Sequence, residues 1–397
     1  MKKTSVSICV YLWLIFFCFS ISAQDFKTIH DGIEYAEMKR GTETEPIKIN
    51  LLRLDLTKIR LDVVHAMDAA IGLETTSSMA TRHGAFAAIN AGFFRLDKSI
   101  FAGDAAGVLM INRKLLSETY GNRTALGIMQ GGLGNTKEKN KPVVVIGHFT
   151  FYGSRVEFAQ LTYSGSVVFG KSLNYEVTGI NRQRKKDDTI LFTPEFHHTS
   201  LTDEDGIEII VRNAKVVQII DKKGSNLIPS DGYILSASGK ARDWVLQNVK
   251  IGERVERKLN IDTLGYENRR FFREYAEDIV GGVPQLIKNG KIEITWEQEK
   301  SSKSFVETRH PRTAVAKLKD GKFLMVTVDG RQKESVGMNL NELAALLLEL
   351  GAVNAMNLDG GGSTTMFAGG KVVNNPSDKE GERKVSDAIL VFPRKRN

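Results

Sequence analysis

Cysteine is almost missing from this 397-residue chain, and its two copies, Cys9 and Cys18, both lie near the start. They fall in an apolar stretch from Val6 to Ile21, behind Lys2 and Lys3 and ahead of Ser22 and Ala23, which is the pattern of a secretory signal peptide. Cleavage after Ala23 leaves a chain without a thiol, so thiolate nucleophiles, thiolate metal sites and disulfides are excluded together. Ile15, Phe16 and Phe17 are too bulky for the small-residue context of a lipid-modified Cys18, and no basic stop-transfer cluster follows at Gln24 and Asp25. The expectation is export, to the periplasm or the medium, with no integral membrane domain once the leader is gone.

Other absences narrow the chemistry. Only 8 prolines and no biased tracts accompany 42% hydrophobic and 26% charged residues, which excludes long disorder and collagen-like repeats. No His-Glu-x-x-His pattern offers a zinc site, and no Gly-x-Ser-x-Gly elbow offers a serine nucleophile. The basic runs at 182–186 and 394–396 lack interleaved aromatics and read as solvated surface, so nucleic acid is not an expected partner. A formal net charge of +8 is compatible with an anionic substrate, but from charge alone surface solubility is the better reading.

Short β-rich runs are what the chain has most of, among them 47–56, 59–64, 85–89, 207–212, 323–328, 352–358 and 388–392. One helix is plain. Asn339 caps with Glu342 three residues later, Leu340, Leu343, Ala344, Leu347 and Leu350 follow at helical spacing, and Gly351 supplies the stop. Lying between the strands 323–328 and 353–358, it predicts a parallel strand-helix-strand unit with both carboxyl ends on one sheet edge. The fold class expected is α+β, a strand-rich mixed sheet with few flanking helices.

Chemistry gathers at that edge. Asp329, Gly330 and Arg331 follow the first strand, and Asp359, Gly360, Gly361, Gly362, Ser363 and Thr364 follow the second. Ligands of such sheets bind beyond the carboxyl ends of the strands. Three successive glycines let backbone N–H groups turn towards an anion, and Arg312 and Arg331 add forks suited to phosphate. An aspartate beside phosphate needs a metal, an arginine or a centre that becomes positive during reaction, such as a departing glycosyl carbon.

The runs Arg309-His310-Pro311-Arg312-Thr313-Ala314, Val328-Asp329-Gly330-Arg331, Gly337-Met338-Asn339-Leu340 and Asn357-Leu358-Asp359-Gly360-Gly361-Gly362-Ser363-Thr364 resemble the phosphodiester glycosidase family. Ala88-Ile89-Asn90-Ala91-Gly92-Phe93-Phe94, Gly281-Gly282-Val283-Pro284 and Asn374-Asn375-Pro376-Ser377-Asp378 add to the resemblance, while Ala91, Val283 and Asp387 depart from its pattern. With the leader at 1–23, the organisation expected is an N-terminal β-rich segment at 24–80 and a catalytic domain at 81–397. The resemblance implies hydrolysis of a glycosyl phosphodiester or phosphorylated glycan between the anomeric carbon and the phosphate oxygen, releasing an N-acetylglucosamine-like sugar. Asp359, Asp329 and Arg312 are the implied catalytic residues. Asn90, His310, Thr313, Arg331, Gly360, Gly361, Gly362, Ser363 and Thr364 are the implied substrate-binding residues. The resemblance names no definite cofactor and leaves a divalent cation, Mg²⁺ or Ca²⁺, open. Two alternatives stay open: a phosphoglycan-binding protein without catalysis, and a phosphodiesterase with Mg²⁺ or Ca²⁺ on Asp329 and Asp359.

Overall fold

A computed structural model describes residues 25–394 apart from 121, 132–141, 165–166 and 264–270. The leader expected at 1–23 lies outside the described residues. The molecule is strand-rich with few helices, and three large sheets carry most of it. Two of these sheets position the site, and their strands are numbered here in chain order.

The first, eight-stranded sheet contains β1 (Lys27–His30), β2 (Ile33–Gly41), β3 (Pro46–Leu54), β6 (Gln285–Lys288), β7 (Lys291–Ile292), β8 (Arg312–Leu318), β9 (Phe323–Val328) and β10 (Ala352–Asn357). Its spatial order is β1-β2-β3-β9-β8-β10-β6-β7. The second, five-stranded sheet contains β4 (Ile59–His65), β5 (Ala87–Asn90), β11 (Met366–Ala368), β12 (Lys371–Val372) and β13 (Asp387–Pro393), in the order β12-β11-β5-β13-β4. A third sheet of twelve strands comes from residues between Leu109 and Gly281 and includes one parallel pair, Gly179–Ile180 with Thr189–Phe192.

Alternation along the strands assigns the faces of the eight-stranded sheet. On β9, Leu324, Val326 and Val328 join Ile49, Leu51, Ala314 and Ala316 in a core closed by the helix Leu340–Glu349. Phe323 and Met325 point the other way, with Leu52, Leu54, Val315 and Met356, towards Ile89, Met366 and Ile389 of the five-stranded sheet. The helix forms as the spacing predicts, with both bonds of the capping box present. Its Leu340, Leu343 and Leu347 are fully buried, each worth about 2 kcal/mol of apolar burial.

The two strands of the expected unit lie in one sheet but are not hydrogen-bonded neighbours. β8 lies between β9 and β10 and pairs antiparallel with both, Arg312 opposite Val328 and Ala314 opposite Asn357. The two strands joined by the crossover helix therefore point the same way without touching. The hairpin β8–β9 precedes the crossover in sequence, so the returning strand finds β9's free side already filled by β3 and adds beyond β8. Residues 33–54 are thus woven into the same sheet as 312–357. Among the described residues, no helix is long and apolar enough to cross a membrane.

Candidate active site

Because β8 runs against its neighbours, its first residue meets the last residues of β9 and β10 at one edge. Asp329 leaves the sheet after β9 and Asp359 after β10, separated by the start of β8 and so by about two strand spacings, ~10 Å along the edge.

The segment from Asp359 to Thr364 is held by hydrogen bonds of its own. Asp359 N donates to Ala91 O at 2.9 Å, Gly360 N to the Asp359 carboxylate at 3.0 Å, and Gly361 N to Pro311 O at 2.9 Å. Ser363 N and Thr364 N return to the carbonyls of Gly360 and Gly361, closing a single 3₁₀ turn over Gly361–Ser363. Gly360 is required by close approach, since a Cβ there would lie 2.7 Å from Pro311 O, while a Cβ on Gly362 would lie 2.2 Å from the side-chain tips Arg383 Nη2 and Asp378 Oδ1. The amides of Gly360 and Gly361 are therefore engaged within the fold rather than turned to a ligand. Ser363, Thr364 and Thr365 are buried, and Ser363 Oγ has no hydrogen-bond partner.

Positive charge reaches this turn through two guanidinium groups. Arg331 nitrogens lie 3.2 and 3.3 Å from the position a Cβ on Gly361 would take, and Arg383 stands against Gly362. Arg331 is exposed and has a backbone φ of 61°, an uncommon left-handed conformation for a non-glycine residue. Its Nη2 donates to His310 Nδ1 at 3.2 Å, and since arginine only donates, that imidazole nitrogen accepts. Burial and the charges of Arg312 and Arg331 hold His310 below its ordinary pKa. Arg383 binds Asp378 with a fork of 2.7 and 3.0 Å.

Arg312 does something other than the sequence suggests. It is 1% exposed, and its guanidinium donates to three backbone carbonyls, Met338 at 2.9 Å, Phe305 at 2.9 Å and Thr308 at 2.6 Å, over the face of Phe305. Burial, with Arg331 nearby, pushes its pKa down to about 10. Asn90 is likewise internal: Nδ2 donates to Asp359 O at 2.7 Å, while Oδ1 accepts from Thr313 Oγ1 at 2.9 Å and Thr365 N at 3.0 Å. Asn90 and Thr313 thus tie the two sheets together beneath the Asp359 turn.

Three carboxylates surround the turn. Burial lifts Asp359 to about 7, with Asp387 pushing the same way and the Ser363 hydroxyl, Arg383 and the Gly360 N–H pulling against it; Ser363 acts without a bond of normal geometry. Burial also raises Asp329, although its Oδ1 accepts from Asn374 Nδ2 and Asn375 N, both at 3.1 Å. Asp387 is raised by burial as well, and its carboxylate accepts from Gly92 N and Ser386 Oγ. Ala91 bridges Asp387 and Asp359, donating to the carbonyl of one and accepting from the N–H of the other. Asp378, Arg383, Asn374 and Asp387 carry no assigned role in the sequence pattern. The Asn374–Asp378 run was visible as a motif, but its partners lie far away in sequence.

No group of three or more His, Cys, Asp or Glu side chains that could hold a metal ion occurs among the described residues. Asp329 and Asp359 each already accept a backbone N–H, from Asn375 and Gly360 respectively.

Residues 205–392 match the phosphodiester glycosidase family. A mouse N-acetylglucosamine-1-phosphodiester alpha-N-acetylglucosaminidase is 34% identical over 160 residues, covering 38% of this chain and 30% of that enzyme. The match thus spans about a third of that relative's length. Among solved structures, a Synechocystis protein superposes with a TM-score of 0.72 at 23% identity, covering 94% of this chain and 64% of that one. A Burkholderia pseudomallei protein gives 0.69 at 23% identity, covering 88% and 74%. These two structures share the fold.

Proposed function

We propose, from the match of residues 205–392 to the phosphodiester glycosidase family, that the chain hydrolyses glycosyl 1-phosphodiesters at the bond between the sugar's anomeric carbon and the phosphate oxygen. The observation that carries the reading is a carboxylate with a pKa near 7, Asp359, set in a turn bracketed by Arg331 and Arg383. The two guanidinium groups suit a phosphodiester. The leaving phosphomonoester has a conjugate acid of pKa about 6, so it departs without a proton donor.

Asp359 is then free to act as base. It takes a proton from a water that attacks the anomeric carbon, the carbon–oxygen bond to phosphate breaks with its electron pair on that oxygen, and the proton passes from Asp359 to solvent. The Asp329 carboxylate faces the positive charge that develops on the sugar ring. Arg312 and Asn90 position the turn from beneath. The apolar run behind Lys2 and Lys3 supports export as the place of action.

The test is release of reducing sugar from an N-acetylglucosamine 1-phosphodiester by the full chain and by Asp359→Asn. We expect turnover that rises with pH through about 7 and levels above it, because the base must be ionised. Asp359→Asn is expected to lower kcat by about 10²–10⁴-fold with little change in KM. Binding without turnover across varied substrates would instead support a phosphoglycan-binding protein.

A further inference from the structure

A cavity of about 260 Å³ opens between β2, β3 and the segment after β12, lined by Glu37, Lys48, Asn50, Asp329, Asn374 and Asn375. Alternation accounts for its polar wall. Leu52 and Leu54 of β3 point towards the five-stranded sheet, and two and four residues earlier the same face carries Asn50 and Lys48. Glu37 and Lys39 of β2 stand opposite Asn50 and Lys48 in register, and Asp329 N donates to Lys48 O at 3.0 Å. At this end of the sheet the apolar interface becomes a polar bay beside Asp329.

Its groups suit hydroxyls more than an anion. Glu37 and Asp329 accept, Lys39 and Lys48 donate, and the formal charges of these four balance. Tyr35 OH donates to Asn50 Oδ1 at 2.7 Å, which leaves the Asn50 Nδ2 as a donor. Thr327, opposite Asn50 on β9, has a buried Oγ1 with no partner. A sugar hydroxyl both donates and accepts, so alternating donors and acceptors around a charge-balanced bay match a neutral ring. The volume is below the ~300–1,000 Å³ of pockets for drug-sized ligands, which fits one ring rather than a chain.

We propose that this bay holds the neutral sugar whose anomeric carbon is attacked, with Glu37, Lys48 and Asn50 selecting among hexoses. The inference rests on the hydrolase reading and deepens it. All three selecting residues come from 33–54, outside the 205–392 family match, so the sugar accepted is set by a part of the chain that the match does not include.

The test measures binding of N-acetylglucosamine, glucose, mannose and galactose, and of inorganic phosphate, to the full chain, with KM and kcat on the corresponding phosphodiesters. Glu37→Gln and Lys48→Met are expected to weaken the preferred sugar and raise KM about tenfold each, the loss of one charge-assisted hydrogen bond, with phosphate affinity unchanged. Arg331→Ala is expected to do the reverse, weakening phosphate and sparing the sugar. Turnover with KM and sugar preference unaltered in both bay variants overturns the bay and leaves the hydrolase standing. Sugar binding that both variants weaken, in a chain that never turns over, keeps the bay and removes the hydrolase. Glu37 is exposed, so its variant is expected to fold.

Discussion

Arg312 and Arg331 look alike in sequence, each beside the end of a strand and each suited to phosphate. Their surroundings divide them. Arg312 is buried on three carbonyls, whereas Arg331 is exposed and contacts His310. Arg312→Ala leaves those carbonyls without their donor and is expected to cost about 3 kcal/mol in urea unfolding. Arg331→Ala is expected to change stability by no more than about 0.5 kcal/mol while weakening phosphate binding about tenfold. Equal effects of the two variants on stability would contradict this division. The partners of Arg312 are backbone carbonyls of Phe305, Thr308 and Met338, and no side-chain pattern reveals where a carbonyl will point. For the same reason the internal bonds of Asn90 to Asp359 O, Thr313 Oγ1 and Thr365 N have no signature in sequence.

The Gly360–Gly362 turn rests on different neighbours at its two ends. Gly360 lies against the Pro311 carbonyl, which is backbone and cannot yield, while Gly362 lies against the tips of Arg383 and Asp378. Gly360→Ala is therefore expected to lower Tm and activity together. Gly362→Ala is expected to keep Tm within a few degrees and raise KM by displacing Arg383, as kinetics alongside thermal unfolding would reveal. The crossover helix was legible because its cap, apolar spacing and glycine stop are all local. The position of β10 was not, because it depends on which strand edge was already occupied. The contact of Asn374 with Asp329 spans 45 residues and has no local signature.

Across the whole molecule, carboxylates oppose one another in their effect on stability. Asp104 and Asp359 lie near 7 and Asp278 near 6, all raised chiefly by burial. Each binds a proton in the folded chain that the unfolded chain has released above about 3.9, so stability falls as pH rises from there to about 7. Glu74 and Asp97, held near 2, by Arg82 among other donors and by Ser99 and Arg95, act oppositely. What they contribute is complete above about 4.3 and lost as pH falls towards 2. Thermal unfolding is expected to give a maximum Tm near about pH 4, falling as pH rises towards 7. A Tm that climbs steadily to pH 8 would contradict the burial of these groups. The central claim concerns which bond breaks when water enters. Hydrolysis of a glycosyl 1-phosphodiester in ¹⁸O-labelled water, with both products weighed by mass spectrometry, tests it most directly. The account predicts label in the released sugar and none in the phosphomonoester, and label in the phosphate would contradict it.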